Sequence, residues 1–211
     1  MQSPSVIKKR GKRKTQNPCP GCGLHLQNCI CAQIPRIEVA TKLLLVIHTK
    51  EMKRTTNTGT LALKALSNSE IVIRGKTKEP VDLTPSLKGP YTSLLFYPGA
   101  DSVPLTKEFV ASLVPPIQLI VPDGNWRQAS KVSSRHPELG SIPRVTIAEV
   151  NSATLHLRRE SSPEGMATLQ AIAEAFGVLE NEEVKKSLLA LYQLKLEKTL
   201  QSRGQVIPIE N

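Results

Sequence analysis

Apolar positions fall into short unbroken runs separated by stretches with helical spacing, and this alternation predicts an α/β protein. Lys42-Leu-Leu-Leu-Val-Ile-His48 is apolar at five consecutive positions, as expected of a strand buried on both faces of a mainly parallel sheet. A helix from about Thr58 to Leu66, with Leu61, Ala62, Ala65 and Leu66 on one face, leads to a strand over Glu70–Arg74 and closes a first βαβ unit. After a loop-like stretch from Gly75 to Pro90, Ser93–Tyr97 reads as a buried strand that stops at Pro98-Gly99-Ala100. Thr106 is placed to cap a short helix reaching Leu113. Gln118–Val121 is the next buried strand, and Arg144–Ile147 and Thr154–Leu157 are two more. Pro163 suits the first turn of a helix striped with Met166, Leu169, Ile172, Ala173 and Phe176 and closed by Gly177. Asn181 caps a last helix, with Glu182 and Glu183 in its first turn and Leu188, Leu191 and Tyr192 facing the core, as far as about Arg203.

The segment with most chemical content follows the Gln118–Val121 strand. Pro122-Asp123-Gly124 makes a turn, and a helix running to about Ser134 begins with Trp126, the only tryptophan of the 211 residues. Where a strand of an open α/β sheet ends and a helix begins, ligands bind. Asp123 there is either a working carboxylate or a turn and cap residue; Trp126 either stacks on a base or packs in the core. Two further loops are rich in polar groups: residues 49–60, with Arg54 and Asn57, and residues 158–162, with Arg158 and Arg159.

Charge adds a second region. Residues 1–37 hold seven Lys or Arg and no acidic residue, and six of the seven are Lys8, Lys9, Arg10, Lys12, Arg13 and Lys14. The remainder carries 21 basic against 18 acidic residues, so most of the net charge of +10 sits in the tail. Such a tail attracts polyanions, of which nucleic acid is the expected partner. No apolar run reaches the length of a membrane span, and the basic start lacks the apolar region of a secretory signal, so a cytoplasmic protein without membrane contact is expected.

The cysteines add a third. All four lie in Cys19-Pro-Gly-Cys22 and Cys29-Ile-Cys31, the first a Cys-x-x-Cys knuckle suited to zinc, with His25 between the pairs as a further possible ligand. Four thiolates close the coordination shell, so the metal is structural. The chain thus divides into a disordered basic tail (1–17), a zinc-binding Cys cluster (18–36) and a main α/β domain (37–211).

Taken in order, these pieces resemble the DTW-domain family of tRNA-uridine aminocarboxypropyltransferases from Cys19 to Arg203. They are the two cysteine pairs, His48 with Glu51, the Arg54-Thr-Thr-Asn-Thr-Gly59 segment, Phe-Tyr-Pro-Gly at a strand end, Asp-x-x-Trp, Leu157-Arg158-Arg159 and Thr168 at a helix start. Two positions depart from the family pattern: Asn125 stands where threonine is usual, and Thr49 where proline often follows the histidine. The resemblance implies a SPOUT-like fold with a C-terminal knot. It also implies transfer of the 3-amino-3-carboxypropyl group of S-adenosylmethionine to N3 of a tRNA uridine, releasing methylthioadenosine. Asp123 is then the candidate base and Trp126 the candidate stacking partner. Tyr97, Pro98, Gly99, Val121, Ile147, Met166, Ala167 and Thr168 are expected around S-adenosylmethionine. Arg54, Asn57, Arg158, Arg159 and the tail are expected on the tRNA. A monomer is the expected state. Two other classes stay open: a methyltransferase using the same substrate, and a non-catalytic zinc-bearing RNA-binding protein.

Overall fold

The computed structural model describes residues 15–77, 81–124, 126–129, 131–147 and 166–203. Its centre is a six-stranded sheet of β1 (Lys42–His48), β2 (Ser69–Arg74), β3 (Thr92–Phe96), β4 (Val103–Pro104), β5 (Ile117–Asp123) and β6 (Arg144–Thr146), ordered β2-β1-β5-β3-β6-β4. Every pairing is parallel. The helices are α1 (Thr49–Met52), α2 (Gly59–Ala65), α3 (Thr84–Leu87), α4 (Lys107–Ala111), α5 (Trp126–Ala129), α6 (Lys131–Arg135), α7 (Thr168–Leu179) and α8 (Glu182–Ser202).

The continuous apolar runs do what two buried faces require. Along β1, Leu43, Leu45 and Ile47 point to one side, where they meet Leu61 of α2, Leu169, Ile172 and Phe176 of α7, and Leu188 and Leu191 of α8. Leu44 and Val46 point to the other, against Leu83, Val132 and Leu139. Cys19, Cys22, Leu24 and Ile30 belong to the first of these cores, so the cysteine segment is packed into the domain.

The chain starts at β1, goes outward to β2, then resumes on the far side at β3, and β5 later fills the gap between. That gap is the switch point of the sheet, and the carboxyl end of β5 lies at it.

Several elements differ from the sequence-based expectation. The helix expected over 126–134 is described as α5 and α6, with Ser130 between them outside the described residues. α4 ends at Ala111, with turns carrying the chain to Leu113. α1, α3 and β4 have no strong periodic signal and were not anticipated. Gly177 does not close α7, which runs on to Leu179. A Cβ at Gly177 would come within 2.8 Å of Lys185 Cδ, so this glycine lets α7 and α8 approach closely. Asn181 does cap α8, its Oδ1 accepting from Val184 N at 3.0 Å. The expected strand at Thr154–Leu157 and the helix start at Pro163 lie outside the described residues.

Candidate active site and metal centre

Asp123 ends β5 and is 3% exposed. Its Oδ2 accepts from Asn57 Nδ2 at 2.6 Å and its Oδ1 from Thr168 Oγ1 at 2.7 Å. The carboxylate therefore ties together three elements: the end of β5, the loop leading into α2 and the N-terminus of α7. The same loop holds α7 a second time, because Thr58 Oγ1 accepts from Leu169 N at 3.2 Å. Asn57 Oδ1 in turn accepts from Thr60 N at 3.1 Å and satisfies an orphan amide at the start of α2. A run of hydroxyls and amides, which on a surface would be solvated, is thus consumed inside the fold. Asn57 is 5% exposed, so it is moved from the expected RNA face to the interior, where it holds Asp123.

Gly59 makes this junction possible. A Cβ there would lie 2.8 Å from Asp123 Oδ2, 3.2 Å from Thr168 Cγ2 and 3.3 Å from Leu45 Cδ2. Alanine is the better helix former by about 1 kcal/mol, but overpacking a closed site costs about 1–3 kcal/mol, so packing wins. Gly59→Ala is expected to lower the thermal midpoint and the reaction rate together, the second because the Asp123 carboxylate must move. Calorimetry and a single-turnover rate measure the two; an unchanged rate would show that the position of this carboxylate is immaterial.

The three loops expected to hold S-adenosylmethionine leave the neighbouring strands β5, β3 and β6. Pro98 and Gly99 are exposed beyond β3, Tyr97 is half-buried with its amide donating to Val145 O at 3.1 Å, and Ile147 follows β6. Val121 is buried inside β5 at 3% exposure. Met166 and Ala167 are half-buried ahead of α7, the Ala167 amide donating to Gln170 Oε1 at 3.2 Å. Thr168 spends its hydroxyl on Asp123. Trp126 opens α5 directly after the Asp123 turn; its side chain lies outside the described residues. Arg54 is half-exposed, with Nε 3.2 Å from Oε1 of the fully buried Glu51. Lys8, Lys9, Arg10, Lys12, Arg13, Lys14, Arg158 and Arg159 also fall outside the described residues.

The sulfurs of Cys19, Cys22, Cys29 and Cys31 all lie within 4.8 Å of one another, with separations of 3.4 Å (Cys19–Cys29), 3.6 Å (Cys19–Cys31) and 3.9 Å (Cys22–Cys29). A tetrahedral zinc ion with bonds of about 2.3 Å holds its sulfurs about 3.8 Å apart, so the four thiolates fit it. His25 is turned aside, its Nδ1 accepting from Gln27 N at 3.2 Å. Backbone amides of Cys22 and Gly21 pull the Cys19 thiol down to about 6, while burial pushes Cys31 up to about 12. Crowded thiols that ionise so unequally are the set a dication evens out.

Beneath the cluster lies Lys195, fully buried on α8. Its ammonium donates to the carbonyl of Cys22 and, at 2.9 Å, to that of Thr55. Burial lowers its pKa to about 8, against the opposing pull of Cys22, Cys19 and Cys31. Gly23, at φ +72°, sits so close to Thr55 that a Cβ would be 3.0 Å from Thr55 O. The knuckle is therefore latched to residue 55, two positions before Asn57. Neither Thr58 nor Lys195 was picked out in the sequence. Lys195 had a readable signal: it occupies the apolar stripe of α8, seven residues after Leu188, where a lysine is out of place.

An all-parallel sheet with a buried carboxylate at its switch point, braced by a four-cysteine knuckle, defines an α/β domain of the open-sheet kind, a class in which ligands bind at the carboxyl ends of the strands. The DTW domain matches residues 16–200, and the chain belongs to that family. Among curated relatives it is similar to tRNA-uridine aminocarboxypropyltransferase 2 of Drosophila melanogaster, 29% identical over 182 residues, covering 82% of this chain and 71% of that protein. It is also similar to tRNA-uridine aminocarboxypropyltransferase A of Arabidopsis thaliana, 25% identical over 226 residues, covering 90% of this chain and 85% of that protein. Among solved structures, the SAM-dependent rRNA:acp-transferase Tsr3 from Vulcanisaeta distributa superimposes with a TM-score of 0.50 at 16% identity, covering 77% of this chain and 80% of that one. That likeness is one of fold. No helix among the described residues is long and apolar enough to cross a membrane.

Proposed function

We propose that this chain transfers the 3-amino-3-carboxypropyl group of S-adenosylmethionine to N3 of a tRNA uridine, on a SPOUT-like fold with a C-terminal knot. Family membership supports the activity, and the observation that carries the residue-level reading is Asp123 at the switch point, fixed from both sides by Asn57 and Thr168.

Uridine N3 is a poor nucleophile while protonated. Asp123 accepts that proton as the N3–Cγ bond forms and the Cγ–sulfur bond breaks; the electron pair stays on sulfur, and methylthioadenosine leaves. Asn57 and Thr168 orient the carboxylate through this step. The sulfonium is its own leaving-group activation, so the protein's task is to present the γ-carbon rather than the methyl. Tyr97, Pro98, Gly99, Val121, Ile147, Met166 and Ala167, on three neighbouring loops, hold the amino-acid arm and the adenosine. Trp126 stacks on the target base. Cys19, Cys22, Cys29 and Cys31 hold zinc, which keeps the knuckle folded and takes no part in the transfer. The basic tail, with Arg54, Arg158 and Arg159, contacts tRNA phosphates.

Nucleoside mass spectrometry of tRNA incubated with the protein and S-adenosylmethionine tests the activity. A uridine heavier by one aminocarboxypropyl group is expected. A methylated nucleoside would identify a methyltransferase instead, and an unmodified tRNA that is still bound would identify a non-catalytic RNA-binding protein.

A further inference from the structure

Arg74 is the last residue of β2 and pairs in register with His48, the last residue of β1, at the carboxyl edge of the sheet. It is 5% exposed. One terminal N–H donates to the carbonyl of Gln128 in α5; Nε is buried and has no partner, and no carboxylate meets the guanidinium among the described residues. Leaving a buried charge without a counter-charge costs more than one hydrogen bond returns, so the fold alone does not account for an arginine here.

The neighbours make the imbalance worse. Arg135, exposed on α6, is close enough for its charge to act on both Arg74 and His48. The His48 ring accepts the Lys50 amide at Nδ1 (3.1 Å), which puts its own proton on Nε2. That nitrogen faces Gly75, at φ +77°, where a Cβ would come within 2.7 Å. Among the described residues the exposed charges beside these positions, Lys50, Lys53 and Lys76, are positive; the intervening Glu51 acts on His48 but is fully buried against Arg54. Arg74, Arg135, His48 and three lysines thus converge on one edge where, among the described residues, no exposed carboxylate answers them.

We infer that Arg74, His48 and Arg135 form an anion site that takes a backbone phosphate of the substrate RNA. The site lies two strand spacings from β5, about 10 Å from Asp123, on the side away from β3 and β6. The loops assigned to S-adenosylmethionine leave β5, β3 and β6, so the carboxylate of its amino-acid arm is not the anion. A phosphate near the target uridine is at the right reach. A strand of RNA crossing the carboxyl edge would then be held at β2 and β1 and reacted at β5. This inference rests on the substrate being RNA and extends that reading to a defined contact.

The test measures tRNA affinity against salt concentration for the full chain and three variants, with S-adenosylmethionine affinity as a control. Arg135→Gln changes an exposed side chain and is expected to weaken tRNA binding and to reduce the slope of log affinity against log salt by about one. Arg74→Met is expected to weaken tRNA binding while its thermal midpoint stays level or rises, because a buried uncompensated charge has been removed. Arg36→Gln, at an 87% exposed side chain remote from this edge, is expected to leave the slope unchanged. Wild-type affinity and slope in both Arg135→Gln and Arg74→Met would overturn the site. So would a lowered midpoint with unchanged RNA binding in Arg74→Met, which would make Arg74 a structural cap for α5. If these variants lose RNA binding but no aminocarboxypropyl uridine is made, the anion site stands and the transfer reading fails. If the product forms and the variants bind as wild type, the anion site alone fails.

Discussion

Asp123→Asn is expected to slow aminocarboxypropyl transfer by about 10²–10⁴ while leaving the fold standing. The hydrogen-bond geometry makes this substitution a clean probe. Asn57 Nδ2 donates to one oxygen at 2.6 Å and must keep an acceptor, because turning its amide would forfeit the 3.1 Å bond from Thr60 N. The carbonyl oxygen of the new asparagine meets that need. Its amide nitrogen then faces Thr168 Oγ1, and a hydroxyl can rotate from donor to acceptor. Both contacts survive; the negative charge and the basic site do not. Stability should change by no more than about 1–2 kcal/mol, the range of exchanging charged for neutral hydrogen bonds. Affinities for tRNA and S-adenosylmethionine should hold, since the loss lies in the transition state. Single-turnover rates with equilibrium binding check this. Near-normal turnover would make Asp123 a brace between β5, α2 and α7, and the base would lie elsewhere.

Loss of the metal is expected to have the other large effect, and to reach the active site. Cys22→Ser leaves three thiolates where the separations of 3.4–3.9 Å describe a four-ligand tetrahedron. Zinc content should fall from about one ion per chain to a small fraction of that. Lys195, fully buried, then loses the negative cluster it sits beneath. Breaking such a buried arrangement costs about 3 kcal/mol or more, which for a chain of this size lowers the thermal midpoint by roughly 6–12 °C. Because the same ammonium holds Thr55 O at 2.9 Å, the loop that presents Asn57 to Asp123 should loosen, and the transfer rate should fall as well. Metal analysis, calorimetry and rate measurements check the three parts. An intact midpoint in zinc-free protein would show that the latch carries no energy.

The local features of this fold were readable in the sequence because each leaves a local pattern. A strand buried on both faces leaves a continuous apolar run, as Leu43–Ile47 does in β1 and Leu119–Val121 in β5. A knuckle needs two residues between its cysteines, and Cys19 and Cys22 have them. The turn after β5 needs flexible residues, and Asp123-Gly124 supplies one. What could not be read depends on distant partners. Nothing near β5 says that it inserts between β1 and β3, since that order is set by long-range packing. Asn57 looks like a surface residue among hydroxyls, yet Asp123, 66 positions later, draws it inward. Gly177 looks like a helix stop, yet the approach of α8 makes it an interior position. Arg74 ends an ordinary β-branched strand, and only its burial without a carboxylate among the described residues marks it.

The claim that the γ-carbon is transferred is tested most directly by the fate of labelled S-adenosylmethionine. With the label in the carboxyl group, incubation with this protein and tRNA should leave the label on the RNA, and Asp123→Asn should slow its appearance. With the label in the methyl group, the RNA should stay unlabelled and the label should appear in methylthioadenosine. Methyl label on the RNA, with S-adenosylhomocysteine as the second product, would contradict it.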